Sequence, residues 1–217
     1  EEAKERIRFL FSEFENVIVS FSWGKDSTVA LFLTLEIARE LWRLPLDVMW
    51  IDQEAEWNQT VSYARYIQWL EDLRFHWYQI PLQIFNATSH DKGNQWLWCW
   101  KEWDEWIREK EESSIHDNIY GTTRFWELFW KITEKDFPGK TANIGWVRCE
   151  ESPSRNAWLI NWKTYKWITY GKVLSKNQYT FYPLYDWSWM DIWKYIHSNK
   201  LDRKSVRVGK ECSEPCR

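Results

Sequence analysis

VIVSFSWGKDST, residues 17–28, decides the fold. Residues 17–21 are a short β-branched and aromatic run that reads as a buried strand. The strand enters a small polar loop, residues 22–27. The loop opens a helix whose apolar residues Val29, Leu33, Ile37 and Leu41 recur every four positions, with Asp26 or Ser27 as the expected cap. Backbone N–H groups at such a helix start, together with the positive end of the helix dipole, attract an anion. Ser22, Ser27 and Thr28 add hydroxyl donors, and Lys25 adds a point charge. The loop is not a Walker A motif, which needs glycine five residues before the Gly-Lys pair and Ser or Thr after it. Those positions hold Val19 and Asp26.

Upstream, Ile7, Leu10, Phe11 and Phe14 make the apolar stripe of a helix, which Asn16 ends. Downstream, residues 46–51 are a second buried strand running into Asp52. Trp57, Val61, Ala64 and Ile67 mark a second helix, and residues 75–80 a third strand. This alternation predicts an α/β fold: a doubly wound, mostly parallel sheet with helices on both faces. Ligands of such sheets bind beyond the strand carboxyl ends, so residues 22–27 and 52–56 are expected to face one crevice. Residues 82–120 break the alternation and read as an α-helical insertion, with one short helix in the Trp-rich stretch 96–110. A helix over 122–136, a strand over 141–147 and a polar segment over 148–156 follow. Two strands within 166–185 turn near 175–177, and Trp189, Ile192, Trp193 and Ile196 form a last helix. The expected organisation is one domain over 1–198 and a basic, solvated tail over 199–217 with Lys200, Arg203, Lys204, Arg207 and Lys210.

The 217 residues carry a net charge of −3, with 44% hydrophobic and 28% charged residues. That is the composition of a folded globular domain, and it argues against nucleic-acid binding by bulk charge. No apolar run approaches membrane-spanning length. The charged first residues do not read as a signal or transit peptide, and the absence of an initial Met suggests a fragment. Four Cys (Cys99, Cys149, Cys212, Cys216) in a chain this long are not a disulfide framework, which points to a reducing cytoplasm. The four His are scattered, without metal-ligand spacing.

The loop resembles the SGGKDS signature of the PP-loop superfamily of ATP pyrophosphatases and phosphoadenosine phosphosulfate (PAPS) reductases. IDQEAEW (51–57), GWVRCEESPSR (145–155) and FYPLYDWSWMDIWKYI (181–196) resemble further segments of the PAPS reductase-like proteins. YQIPLQIFNATS and WIREKE are similar to a bacterial and phage subgroup labelled PAPS reductase or sulfotransferase. The resemblance implies that Ser20, Ser22, Gly24, Lys25, Asp26, Ser27 and Thr28 cradle phosphate or sulfate. Asp52 would lie near the adenosine, and Arg148, Glu151, Ser152 and Arg155 would line the anion side. For Arg148 and Arg155 the bland alternative is surface pairing with Glu150 or Glu151. Lys25, Asp26 and Arg148 are the implied catalytic residues, and Asp26 the implied holder of Mg²⁺. The implied substrate is ATP, split to AMP and pyrophosphate, or the sulfate of PAPS.

Two other readings stay open: a nucleotide-sensing regulator without turnover, with or without a protein partner, and a component of nucleic-acid sulfur modification. Reductases of the family carry a C-terminal Glu-Cys-Gly-Leu-His motif. Here Glu211-Cys212 is followed by Ser213-Glu214, and no adjacent Cys pair completes an iron–sulfur set with Cys212 and Cys216. Reductase chemistry and a cluster are therefore not expected. Asp186 or Ser188 is expected to cap the last helix.

The chain has 20 Trp and only 7 Gly. Trp23 stands where the family pattern has glycine, and an indole there is expected to block the phosphate or force the loop open. Trp146, Trp158 and Trp167 stand at similar positions, with Trp42 and Trp103 as further cases. The pattern suggests UGA codons that mean glycine but are translated as Trp, or else a Trp-rich homologue with a weakened site.

Overall fold

Continuous apolar runs become central strands, as period-2 burial on both faces requires. A computed structural model describes residues 1–88, 95–161 and 163–201. Glu2–Glu13 (α1), Asn16–Ser20 (β1), Lys25–Glu40 (α2), Leu46–Ile51 (β2), Asn58–Gln68 (α3) and Leu73–Tyr78 (β3) follow in order. Then come Leu82–Phe85 (β4), Trp96–Cys99 (β5), Phe125–Asp136 (α4), Thr141–Ile144 (β6) and a 3-10 turn, Cys149–Glu151. Pro153–Asn161 (α5), Thr164–Tyr165 (β7), Ile168–Val173 (β8), Gln178–Phe181 (β9) and Trp189–Ser198 (α6) complete the described chain.

The main sheet has the order β3-β2-β1-β6-β9-β8-β7. Its first five strands are parallel; β8 adds antiparallel to β9, and β7 antiparallel to β8. Alternate residues of β2 feed two cores. Val48 and Trp50 join Ile7, Leu33, Val61 and Ile192 of the helices on one face. Met49 and Ile51 join Leu128 and Ile132 of α4, with Leu82 and Trp100, on the other. The chain leaves β1 toward β2 on one side and is joined by β6 on the other, so the crevice between diverging connections opens at the carboxyl end of β1. Among the described residues no helix is long and apolar enough to cross a membrane.

The structure corrects three expectations. Gly24, with extended backbone, is the N-cap of α2, and Asp26 and Ser27 lie inside its first turn. Among the described residues of 82–120 there is no helix: β4 and β5 pair as an antiparallel hairpin, Leu82 opposite Cys99 and Phe85 opposite Trp96. Beyond Trp100 the chain is drawn across residues 52–54 instead of coiling, because its amides and cations find carboxylates there. The polar segment after β6 holds α5, opened by Ser152, whose Oγ accepts the Arg155 amide at 3.2 Å, and by Pro153 at the first helical position. Of the two caps expected for α6, the structure has Ser188, which exchanges two bonds with Asp191. Asp186 takes both Arg6 terminal nitrogens at 2.6 Å and ties α1 to the end of the fold. Cys212, Cys216 and tail residues Arg203, Lys204, Arg207 and Lys210 lie outside the described residues.

Candidate functional site

The first turn of α2 and the segment after β6 meet at one ion cluster. Asp26 is buried, and its carboxylate accepts Lys25 Nζ at 2.6 Å and Arg148 Nε at 2.7 Å. Arg148 is 3% exposed. Its Nη1 donates to Glu150 and to the Trp187 carbonyl, both at 3.0 Å, and its own amide donates to Glu151 Oε2 at 3.1 Å. Three parts of the chain, with Asp26 122 residues and Trp187 39 residues from Arg148 in sequence, thus fix one guanidinium beside a helix N-terminus. Both carboxylate oxygens of Asp26 are taken by cations, and among the described residues no group of three or more His, Cys, Asp or Glu is placed to hold a metal. In this arrangement Asp26 is a charge clamp between Lys25 and Arg148.

The hydroxyls of the loop turn inward. Ser27 Oγ and Thr28 Oγ1 donate to the Gly24 carbonyl at 2.9 and 3.0 Å, and Ser20 Oγ donates to Asn143 Oδ1 of β6 at 2.7 Å. Ser22 is exposed, with Oγ 3.3 Å from Ser27 Oγ. Asn143 was not anticipated. It is buried, its Nδ2 has no partner, and Thr180, its register partner on β9, has an unpartnered Oγ1. A buried Asn within an apolar strand is the sequence signal that marks it.

Trp23 does not block the loop. Its φ is +62°, the left-handed region that costs a residue with a Cβ about 1–2 kcal/mol. Its ring is 2% exposed and packs edge-on against Phe21, Trp50, Tyr63 and Phe75, on the core side of the loop. The indole Nε1 is buried without a partner. Position 23, not Gly24, is where this backbone asks for glycine: Gly24 has ordinary φ, and a Cβ there would meet only Ser22 Oγ at 3.7 Å.

The end of β2 is built differently. Asp52 is fully buried. Its carboxylate accepts Trp77 Nε1 at 2.8 Å, Gln79 Nε2 at 3.0 Å, the Glu54 amide at 2.8 Å and Arg108 Nη2. Glu54 reaches back to the amides of Trp100 and Ile107 at 2.5 and 2.9 Å. Trp100, also fully buried, donates Nε1 to the Asp52 carbonyl and lies under the Arg108 guanidinium. With four donors, Asp52 is an anchor for residues 96–108 rather than an open ligand. Arg108 sits in the WIREKE segment, but neither its role nor its partner was anticipated from sequence. Burial in this plug pushes the Cys99 thiol up to about 12, helped by the charges of Glu54, Asp52 and Glu56. Burial also raises the Glu56 carboxyl and lowers Lys110. Cys149, beside the clamp, is raised mainly by partial burial.

Glu151, Ser152 and Arg155 are brought next to Arg148 but face one another. Arg155 pairs with Glu151, and its side chain is half exposed. That is the surface pairing weighed for it from sequence, whereas Arg148 adds to its Glu150 pair a buried bond to Asp26.

A model of the phosphoadenosine phosphosulfate reductase domain matches residues 16–207. The protein of Escherichia coli (strain K12) named uncharacterized protein YbdN is 30% identical, the match covering 92% of this chain and 52% of that protein. Sulfate adenylyltransferase subunit 2 of Agrobacterium fabrum is 24% identical, over 92% of this chain and 60% of that one. The chain therefore spans between half and two thirds of the length of these curated relatives. Among solved structures, Candida glabrata FMN adenylyltransferase in complex with FAD and inorganic pyrophosphate aligns with a TM-score of 0.52 at 14% identity, covering 89% of this chain and 54% of that one. That likeness is one of fold.

Proposed function

This chain belongs to the phosphoadenosine phosphosulfate reductase domain family, and from that premise we propose that it binds an adenine nucleotide at the start of α2 and transfers its adenylyl group. The observation that carries the reading is the Asp26–Arg148 bridge: a buried, oriented guanidinium at a helix N-terminus, with Lys25 beside it. The reaction is the attack of an acceptor oxygen on the α-phosphorus of ATP. The bond from that phosphorus to the bridging oxygen breaks, and pyrophosphate leaves with the electron pair. Charge grows on the phosphate oxygens, and fixed cations and amides favour it most where they need not reorganise. Asp26, Glu150 and the Trp187 carbonyl hold Arg148 still. Lys25, whose side chain is 30% exposed, is the cation free to exchange Asp26 for a phosphate. The relatives named sulfate adenylyltransferase subunit 2 support adenylyl transfer, and the word subunit fits a protein partner.

Sulfate reduction is the less supported chemistry. It needs a thiolate; burial disfavours ionisation of Cys99 and Cys149, and Cys212 is followed by Ser213-Glu214 in place of the family's Gly-Leu-His. A sensing role without turnover is favoured by the inward hydroxyls of Ser27 and Thr28, which already satisfy the Gly24 carbonyl.

The test is calorimetric titration of ATP and of PAPS, followed by assay of AMP, pyrophosphate and sulfite. ATP binding with release of pyrophosphate supports the proposal. Binding without products moves the reading to sensing. If neither nucleotide binds, the loop is not a nucleotide site.

A further inference from the structure

Eight non-glycine residues among those described have φ in the left-handed region, and five are tryptophan: Trp23, Trp42, Trp100, Trp103 and Trp167. Tryptophan is 20 of 217 residues, so its share would place fewer than one there. None of the eight is Asn, Asp or His, the side chains that tolerate this region best.

Three of the five occupy turns whose geometry names its own residue. Trp42 follows the end of α2: its amide donates to the Arg39 carbonyl, and the Arg43 amide donates to the Ala38 carbonyl at 2.8 Å. That is a Schellman motif, with Trp42 at the position glycine usually fills. Trp167 is the second residue of the two-residue loop joining β7 and β8. Lys166 and Trp167 have φ of +46° and +65°, and Tyr165 pairs with Ile168. This is a type I′ hairpin turn, whose second residue is characteristically glycine. Trp103 is the third residue of a turn closed by the Asp104 amide on the Lys101 carbonyl, with φ of +67°. A third residue with positive φ is the mark of a type II turn, and glycine is its residue.

The indoles at these three turns do nothing. They are 90%, 98% and 95% exposed at Trp42, Trp103 and Trp167. Trp23 is buried, but its Nε1 is unpaired. Trp100 is the contrast: its ring is fully buried under Arg108, and both its N–H groups are bonded. Lys200, at the corresponding position after α6, shows that one such residue is tolerated. It does not account for a concentration of one large side chain.

We infer that positions 23, 42, 103 and 167 carry glycine in the protein as its own host makes it, the tryptophans there being UGA codons that the host decodes as glycine. The inference stands on backbone geometry and not on the nucleotide reading. Trp146 and Trp158 have no positive φ, so the backbone makes no such demand there. At position 23, glycine gives the loop its left-handed step without strain and removes an unpaired buried N–H.

The deciding experiment is to read the codons. UGA at 23, 42, 103 and 167, with UGG at Trp57, Trp77, Trp100, Trp106 and Trp187, is the expected result. UGG at any of the four, or UGA spread through the second group, overturns the inference. A second measurement is independent of the gene. The combined Trp42→Gly, Trp103→Gly and Trp167→Gly variant of the Trp-containing protein should melt at a higher temperature than its parent. Trp57→Gly, exposed at an ordinary φ of −65° before α3, should not. A triple variant that melts no higher than the parent overturns the geometric argument.

Discussion

The carboxyl ends of β1 and β2 lie side by side in the sheet, and both carry an acid that sequence marks as functional. At β1, Asp26 holds two cations, next to an exposed Ser22 and a partly exposed Lys25. At β2, Asp52 is fully buried under Trp100 and Arg108, with four donors on its carboxylate. One end is a clamp that solvent reaches, and the other a plug. The number and burial of an acid's donors therefore distinguish a ligand-facing group from a strut better than its place in the topology does.

The comparison breaks most readily at Asp52. Asp52→Ala leaves Arg108 and two side-chain donors buried without their acceptor, a defect of about 3–5 kcal/mol. Urea unfolding should show that loss, and a change below about 1 kcal/mol would mean that the plug is not structural. Arg148→Lys tests the other end. It removes the fork that meets Asp26, Glu150 and the Trp187 carbonyl, and should weaken ATP binding about 10–100-fold. Its unfolding midpoint should fall far less than that of Asp52→Ala, and the reverse ranking would exchange the two roles.

Two cysteines sharpen the contrast. In the native protein at mildly alkaline pH, iodoacetamide should modify Cys149 before Cys99, which reacts only after unfolding. Peptide mass spectrometry reads the order. The Cys99 thiol is raised from 9.0 to about 12 in the fold, so its stabilising contribution is complete below pH 9 and is lost as pH rises toward 12. Cys99→Ala should flatten that part of the stability profile. The smallest effect is expected for Arg155→Gln. An exposed pair with Glu151 contributes about 0.2–1 kcal/mol, and ATP affinity should stay within about twofold. A large loss of affinity would bring Arg155 into the clamp after all.

Those predictions follow the uneven legibility of the chain. The bounds of β2 were readable to the residue, because a strand buried on both faces is a nearly continuous apolar run, broken here only at Asp47. The hairpin β4–β5 was not, since Trp96, Leu97 and Trp98 are half exposed on both sides and show no strand alternation. α5 lacks an apolar stripe, and only Ser152-Pro153 announces it. In the site, Lys25, Asp26 and Arg148 were readable as a group because short motifs carry them. What sequence could not supply was pairing: that Asp52 meets Arg108, or that Ser20 meets Asn143, depends on contacts between distant segments. Trp23 was anticipated as an obstacle because the substituent was visible and its direction was not.

The two borders of the main sheet bear on how the protein behaves at high concentration. β7 is two residues long with a register shift, and the outer side of β3 is engaged at its end by Ile115, whose amide and carbonyl bond to Trp77 and Gln79. The other end of β3 presents Arg74, a charge that resists stacking of a second sheet. Neither border offers a long uncommitted run of peptide groups, so strand-to-strand polymerisation is discouraged, at β3 by the chain that continues beyond the plug at the end of β2.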